Sequence, residues 1–277
     1  NNRSTSRHIL RLVTMERGYK YRIYPNKAQR ELIAKTFGCC RFVYNQALDR
    51  KKTLYKNEGK SLSRIDCNNW CNRELKVQYE WLREVDKFAL TNSIYDMDNA
   101  YKKFFKEHAG YPKFKSKHNG RQSYKTNYSH NNIAVDFDEN TIKLPKLGII
   151  KARVHRIFDG VIKNATISCT PSGKYFVSIC VNSELPEFRP TQGIIGIDLG
   201  IKDLCTCSDG TKCDSPDLIR LQSSLKRQQR NLSKKTKGSN NYKKQKVRLA
   251  RLYEKITNIR KDSLHKLSRH LVDENQI

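Results

Sequence analysis

In the stretch GIIGIDLGIKDLCTCSDG, residues 193–210, the carboxylate of Asp198 stands between Ile197 and Leu199, in an otherwise apolar run. Two short runs rich in Ile, Leu and Cys end in a Ser-Asp-Gly turn signal, so the pattern predicts two strands, the first of them buried. An acidic residue is unexpected in such a strand. The commonest reason is local, because an Asp at a strand end accepts hydrogen bonds from turn amides.

Two functional interpretations compete with the turn interpretation. In the first, Asp198 binds a divalent ion on the first strand of a sheet of RNase H type, where metal ions polarise a phosphodiester and generate the attacking hydroxide. In the second, residues 196–200 form a phosphate loop like that of the actin-like ATPases. Such a loop usually continues with Thr or Ser, whereas this sequence has Ile201 and Lys202. Together with the strong positive charge described next, this difference favours a nuclease.

The composition indicates a folded protein with a polyanionic partner. The chain has 277 residues, 37% of them hydrophobic, and 55 Lys and Arg against 27 Asp and Glu give a formal net charge of +28. Such a charge repels itself in the folded state, and nucleic acid is the first candidate partner, with an anionic membrane surface second. The sequence shows no transmembrane run and no signal peptide. We therefore expect an intracellular protein.

Nine cysteines occur without any CxxC pair. Structural zinc usually shows such pairs, and disulfides are unusual in an intracellular chain, so neither is expected. Cys67 and Cys71 are four residues apart on a predicted helix, which leaves a metal site possible, although packing is the more common role. Cys205 and Cys207 alternate along a predicted strand and are interpreted as core or surface packing residues.

The first half of the chain predicts a strand followed by helices. Residues 1–14 are basic, lack turn or cap signals and precede the first Met, so they are interpreted as a translated leader or as residues that cloning has added. Residues 18–25 alternate as a strand does, and Asn26 then caps an amphipathic helix, or two helices broken near Gly38. Helical patterns continue to residue 107.

A basic and aromatic segment covers residues 101–127. It has eight Lys or Arg against one Glu, interleaved with six aromatic residues. Cations that contact phosphates and rings that stack on bases make a nucleic-acid surface. A solvated basic loop whose rings fill the core has the same composition, and the sequence favours neither interpretation strongly.

The second half predicts strands and then helices. Residues 131–183 read as short alternating runs separated by turns, typical of an antiparallel sheet or small barrel, with a hairpin across 171–174. Residues 186–190 look like a linker. After the two strands of 193–210 comes a basic helical region, and 234–241 is predicted to be the turn between two long helices.

Several motifs in this order resemble those of TnpB, the family of insertion-sequence-encoded, RNA-guided DNA nucleases related to type V CRISPR effectors. They are RIYPNKAQRELI, CRFVYNQAL, EVDKFALTNS, YPKFKSK, NNI, KLPKLG, GIDLGIKDL with SDG, and DSLHKLSRHLVDEN. The resemblance runs from Met15 to the last residue.

The resemblance implies an α+β multidomain protein. Residues 15–25 and 128–188 would form a β-barrel wedge domain, and 26–127 a helical recognition domain inserted in it. Residues 189–277 would form a partial RNase H-like (RuvC) nuclease domain with long basic helices. Strand, helices and strands again, as read from the residues, agree with such an insertion.

The resemblance also implies the site residues. Asp198 matches the first of three catalytic carboxylates, which bind Mg2+. The family's contacts to nucleic acid match a set of residues whose types at Arg64, Thr91 and His130 depart from the family's, so the preferred DNA motif is expected to differ. That set is Arg64, Asn68, Lys87, Phe88, Thr91, Lys113, Lys115, Ser129 and His130.

The implied partners are a guide RNA made from the transposon end and target double-stranded DNA, with no membrane partner, in the prokaryotic cytoplasm at the nucleoid. In the family a second catalytic Glu, a zinc-binding module with CxxC pairs and the third catalytic Asp follow the point matching LVDENQI. The chain is therefore expected to be an N-terminal fragment that is inactive alone, with zinc bound only in the missing region. The alternative is a nuclease-dead RNA- and DNA-binding regulator or a degenerate transposon remnant.

Overall fold

The computed structural model describes residues 14–118, 122–184, 193–200 and 203–275. Their contacts divide the chain into two compact units. The first contains the described residues up to Thr170 and from Lys174 to Glu184, and the second contains Pro171–Gly173 and the described residues from Gly193 onward. The linker expected at 186–190, and nearly all of the leader expected at 1–14, lie outside the described residues.

Seven antiparallel strands form the sheet of the first unit. The order is β2-β6-β7-β1-β5-β4-β3. The longest ladder joins β1 to β7, from the pair Thr14 and Glu184 to the pair Ile23 and Tyr175. The hairpin predicted across 171–174 is confirmed, because β6 and β7 pair on either side of it. The strands are β1 Thr14–Ile23, β2 Gln122–Asn127, β3 Ala134–Asp136, β4 Thr141–Leu144, β5 Gly148–Arg153, β6 Val161–Cys169 and β7 Tyr175–Glu184.

The sheet differs from the expected barrel in two respects. Among the described residues β2 and β3 end the strand order without pairing to each other, so the hydrogen bonds do not close the sheet. The ladder between β1 and β5 is only two pairs long.

Residues 122–127, which the sequence assigned to the helical insertion, form β2 and pair with β6 over their whole length. The alternation of Tyr124 and Thr126, both buried, explains this, because period-two burial is the mark of a strand.

The helical part of the first unit lies between β1 and β2 in the chain. It comprises α1 Lys27–Glu58, α2 Arg64–Trp70, a π-type turn Cys71–Leu75, α3 Lys76–Gln78, a 3-10 turn Glu80–Arg83 and α4 Lys87–Glu107. Asn26 begins α1 with a capping box, since its side chain accepts from the backbone of Gln29 and the Gln29 side chain accepts in return.

The sequence left open one helix or two helices broken near Gly38, and the structure has the first, because α1 runs through Gly38 as one helix. A single glycine costs a helix only about 1 kcal/mol relative to Ala. Around it Ile33, Phe37, Cys40 and Val43 form a buried stripe, and the burial of such side chains outweighs that cost.

Helices and sheet share one hydrophobic core. Buried side chains of the sheet, such as Tyr21 and Ile167, belong to the same cluster as Leu48 of α1 and Ile94 of α4. Phe37 of α1 meets Tyr124 of β2 edge-to-face at 5.7 Å between ring centroids. The helical block is therefore packed on the sheet rather than built around a separate core.

The second unit contains a small sheet and two helices. Strands β8 Ile197–Leu199, β9 Cys205–Cys207 and β10 Lys212–Cys213 pair antiparallel in the order β10-β9-β8. They precede α5 Ile219–Ser233 and α6 Asn240–Glu274, so the predicted helix pair and its turn are confirmed. Ser239 caps α6, and Gln245 of α6 donates to the Gln228 carbonyl of α5 at 3.2 Å.

No helix within the described ranges is long and apolar enough to span a membrane.

Candidate functional site

One face of α4 lies against α2 and carries two of the residues predicted to contact nucleic acid, Lys87 and Thr91, together with Tyr95. Lys87, Thr91 and Tyr95 are spaced by four residues, so they lie along one side of the helix. Thr91 donates its hydroxyl to the Asn68 side-chain oxygen at 3.1 Å. The Arg64 guanidinium lies 5.0 Å from the centroid of the Tyr95 ring. Arg64, Asn68 and Thr91 are thus brought together.

Both helices of this face have well-formed N-termini. Asp86 is buried and accepts from the amides of Phe88 and Ala89, each at 3.2 Å, so its carboxylate caps α4. Ser63 caps α2 in a capping box with Asp66. The hydrogen bond from the Ser63 hydroxyl lowers the pKa of the Asp66 carboxyl from its ordinary value. These caps fix where the two helices begin and hence where their first side chains point.

Four of the predicted contacts line one groove of about 560 Å³. Lys87 and Phe88 at the start of α4 form one wall, and Ser129 and His130 in the loop after β2 form another. Ser129 Oγ and His130 Nδ1 are 2.8 Å apart. Asn132 shapes this loop, since its side chain accepts from the Ser129 amide and donates to the Asn127 carbonyl.

Three further cations line this groove that the sequence did not single out, namely Lys76, Arg83 and Lys146. With Lys87 they make four positive side chains, and the one acidic side chain of the lining, Asp86, is occupied in capping α4. Lys146 lies in the turn between β4 and β5 with φ of 64°. In the sequence it belongs to KLPKLG, one of the motifs that resemble TnpB, without a predicted role of its own.

Lys113 and Lys115 lie in the basic and aromatic segment of 101–127. Lys113 is exposed. The Lys115 backbone is held by two hydrogen bonds with the Asn45 side chain, and its Nζ lies 4.0 Å from the centroid of the Tyr44 ring and 3.9 Å from Asp96. Partial desolvation lowers the pKa of Lys115 from its ordinary value. Lys115 is therefore engaged within the unit, while contacts of either lysine with nucleic acid stay a prediction.

The rings of this segment divide between two environments. Tyr101 is buried, and its hydroxyl lies 3.0 Å from that of Tyr111. Phe105 and Phe114 are exposed. Core packing and an outward-facing surface therefore both occur in the segment, as each of the two interpretations requires.

Asp198 lies in β8 with an exposed side chain. The prediction that this strand is buried is wrong, because Ile194, Ile197 and Leu199 are 90%, 46% and 79% exposed. The reason is its position, since among the described residues β8 is an edge strand that pairs only with β9. The amides of residues 201–202, which follow Asp198 in the turn, lie outside the described residues, so the turn interpretation stays a prediction.

Gly200 lies close to the backbone of Asp203. A Cβ at Gly200 would lie 2.8 Å from the Asp203 carbonyl oxygen, so a side chain there would displace the backbone. The glycine thus permits this close approach, and the Asp203 carboxylate lies 3.9 Å from Lys212 on β10. Asp198 offers a hard divalent ion one carboxylate, which suits Mg2+ because this ion prefers oxygen ligands and retains water.

Among the described residues, one group alone has three or more metal-ligating side chains close together, and it consists of Cys205, Cys207 and Cys213. Burial raises the pKa of the Cys205 thiol to about 11. Cys205 and Cys207 were interpreted as packing residues, and both are buried. That interpretation did not include Cys213, which lies beside them. Cys67 and Cys71 are buried and belong to no such group, so the possible metal site between them receives no support.

Two protein-family models match this chain, in order along the sequence. OrfB_IS605, described as "Probable transposase", matches residues 178–277, and HTH_OrfB_IS605, described as a helix-turn-helix domain, matches residues 15–60. A protein of Escherichia coli K12 named "Putative RNA-guided DNA endonuclease InsQ" is 34% identical over 253 residues. A "Putative RNA-guided DNA endonuclease" of Streptomyces pristinaespiralis is 32% identical over 267 residues.

The chain carries two OrfB_IS605 domains. The resemblance to TnpB drawn from the sequence is thus confirmed at the level of the family. The alignments cover 90% and 95% of this chain but 62% and 65% of the two relatives, so the chain spans less than two thirds of their length. A Cas12f ternary complex aligns with TM-score 0.36 and 14% identity, over 90% of this chain and 61% of Cas12f, and this likeness supports no argument.

The N-terminal match is described as a helix-turn-helix domain, but the structure of this chain over the matched residues is different. Residues 15–60 contain β1 and the single helix α1, and α2 begins only at Arg64. No helix-turn-helix is formed by the described residues of this range. The candidate DNA-contacting side chains come instead from α2, α4 and the loop after β2.

Proposed function

We propose that this chain is part of an insertion-sequence-encoded, RNA-guided DNA endonuclease. In this proposal it binds a guide RNA from the transposon end and target double-stranded DNA in the cytoplasm, at the nucleoid. The names of its two curated relatives and the family match support this function. The net charge of +28 supplies the long-range attraction to phosphates that either nucleic acid requires.

The observation that carries the proposal is the convergence of sequence-distant side chains in the groove on α4. Four cations there can contact phosphates, which position a duplex. Ser129 and His130 offer hydrogen-bonding groups for base edges, and Phe88 offers an apolar surface for contact with a base. The adjacent cluster of Arg64, Asn68 and Thr91 extends the polar surface along the same helix. A groove of this composition suits reading a short DNA motif.

We assign to Asp198 the role of a metal-binding carboxylate. Its exposure on an edge strand leaves its oxygens accessible to a hydrated ion. Mg2+ bound in such a nuclease polarises a phosphodiester and lowers the pKa of a bound water. The role of Asp198 is to hold the ion at one position on β8. The pairing of β8 with β9 fixes the backbone at Asp198 and hence this position.

A second candidate function is nucleic-acid binding without cleavage. The observation that favours it is that, within the described ranges, Asp198 belongs to no group of three metal-ligating side chains. Two-metal hydrolysis requires several carboxylates that converge on the ions. Under this alternative the groove and the basic surfaces retain their roles, and Asp198 does not contribute to catalysis.

The test uses the purified chain with RNA transcribed from the transposon end and labelled DNA duplexes. The proposal predicts RNA and DNA binding that weakens steeply with salt, because phosphate contacts release counterions. Binding that does not respond to salt would contradict it. Mn2+ binding, with Mn2+ as a substitute for Mg2+, then separates the two candidates, because the chain by itself is expected not to cleave DNA. An Mn2+ affinity that falls in Asp198→Asn supports the endonuclease, and an equal affinity supports the second candidate.

A further inference from the structure

Three cysteines converge on the hairpin formed by β9 and β10. Cys205 and Cys213 are direct partners across the antiparallel pair, and Cys207 is two residues from Cys205, so the three side chains share one face of the small sheet. Their Sγ atoms all lie within 4.8 Å of one another. Cys205 and Cys207 are buried, while Cys213 is half-buried. The sulfur atoms thus form a triangle with one side toward solvent.

The size of the triangle fits a thiophilic ion. Tetrahedral zinc has Zn–S bonds of about 2.3 Å, which places its sulfur ligands ~3.8 Å apart. The observed separations exceed this by at most about 1 Å, a difference that small χ1 rotations on facing strands can remove. Cross-strand partners and i,i+2 neighbours bring three thiols together without a CxxC motif, which is why the sequence pattern did not indicate a metal.

Ordinary packing of small apolar side chains is the competing explanation for the cluster. The second unit has few buried apolar residues of its own. Apart from Cys205 and Cys207, those in its described part are Leu218 and Ile256. A unit with so little core gains much from a metal that links its strands, because the free energy of metal binding becomes free energy of folding.

We propose that Cys205, Cys207 and Cys213 bind one zinc ion, with a water molecule as the fourth ligand on the side of Cys213. Binding breaks three S–H bonds, the three protons pass to solvent, and three Zn–S bonds form without any redox change. Soft thiolates select zinc over magnesium, so the site is chemically distinct from the hard carboxylate of Asp198.

The register places this site on the opposite face of the sheet from Asp198. Asp198 pairs with Thr206, which lies between Cys205 and Cys207, and directly opposed residues point to the same face. The zinc therefore does not touch the Asp198 carboxylate. It fixes the β9–β10 hairpin, on which β8 depends for its only pairing among the described strands.

The first experiment titrates Co2+ into the full chain after reduction and removal of metals with a chelator. The expected result is one Co2+ per chain, with an intense sulfur-to-cobalt charge-transfer absorption that disappears when Zn2+ is added. Cys213→Ser is expected to lower Co2+ affinity at least about tenfold, and because Cys213 is half-buried this variant retains the packing of β9. Cys180→Ser, a half-buried cysteine of the first unit, is the matched control and should bind as the wild type does.

A second measurement needs no variant. Zn2+ should protect Cys205, Cys207 and Cys213 from alkylation, as mapped by mass spectrometry, and should leave the alkylation of Cys180 unchanged. Absence of the charge-transfer absorption in the wild type, or equal absorption in Cys213→Ser, would overturn the proposal. Equal alkylation of the three thiols with and without Zn2+ would overturn it as well. Neither measurement involves nucleic acid, so the result is independent of the function proposed above.

Discussion

Asp198 lies directly opposite Thr206 in the pairing of β8 with β9, and Lys212 of β10 is the next partner in the same row. These three side chains therefore cross one face of the small sheet, while the three cysteines occupy the other. Two sites with different metal preferences can thus be altered one at a time.

Asp198→Asn should weaken the binding of Mn2+, used as a paramagnetic substitute for Mg2+, by at least about tenfold. The amide keeps the shape of the side chain but removes the charge that a hard ion requires. Electron paramagnetic resonance of free Mn2+ measures the change. Asp214→Asn, an exposed acidic residue of the same unit, is the control and should have no effect. Equal Mn2+ binding by Asp198→Asn and wild type would contradict the assignment.

Lys87→Gln should weaken binding to duplex DNA and lower the slope of log affinity against log salt by about 1, because one phosphate contact is lost. Lys87 lines the groove, whereas Lys103 lies on the same helix outside it. Lys103→Gln is therefore a control of identical chemistry. Fluorescence anisotropy at several salt concentrations measures both variants. If the two lowered affinity and slope alike, the groove would have no special role.

Gln29→Glu should destabilise the first unit by about 1–2 kcal/mol. Gln29 accepts from the Asn26 amide, and its Nε2 donates to the carbonyls of Leu147 and Ile149 at 3.1 and 2.9 Å. Glu keeps the acceptor but has no donor for the two carbonyls. Asn26→Ala instead removes only the cap and should cost about 1 kcal/mol. Chemical denaturation compares them, and a Gln29→Glu variant as stable as wild type would show that the two carbonyl contacts contribute nothing.

The stability of the first unit should fall as pH rises from about 9 to 11, in part because of Cys39. Burial raises the pKa of this thiol from 9.0 to about 11. In this window the unfolded chain loses the proton while the folded chain retains it, so ionisation favours unfolding by an amount on the order of 1–2 kcal/mol. Cys39→Ala should show a shallower decline of unfolding free energy with pH. Parallel declines would exclude a contribution from Cys39.

Local signals predicted much of the fold. The Asn26 cap, the hairpin at 171–174 and the turn at 234–241 depend on neighbouring residues, and each is where the sequence indicated. Gly38 left two possibilities open, and the burial of the stripe around it, which outweighs its small local cost, decides for one helix. The strand pattern allowed a sheet or a small barrel, and the barrel was implied by the resemblance, because strand pattern does not determine which edges meet.

The candidate site was predictable only in part. Lys87 and Phe88 came from a resemblance, whereas Lys76, Arg83 and Lys146 became visible only when the fold joined three separate segments at the groove. No helical or strand period relates residues at such separations. The cysteine cluster was hidden for a similar reason, because cross-strand register rather than spacing brings Cys213 to Cys205.

The open edge of β8 has a practical consequence for anyone who purifies this chain. Among the described strands β8 pairs on one side only, so its other edge, beside exposed Ile194 and Leu199, is a template onto which a strand of another molecule can add. The apparent molar mass measured by light scattering should therefore rise with protein concentration. Leu199→Lys places a charge on that edge and should suppress this rise, so one surface substitution would give a sample better suited to the binding measurements.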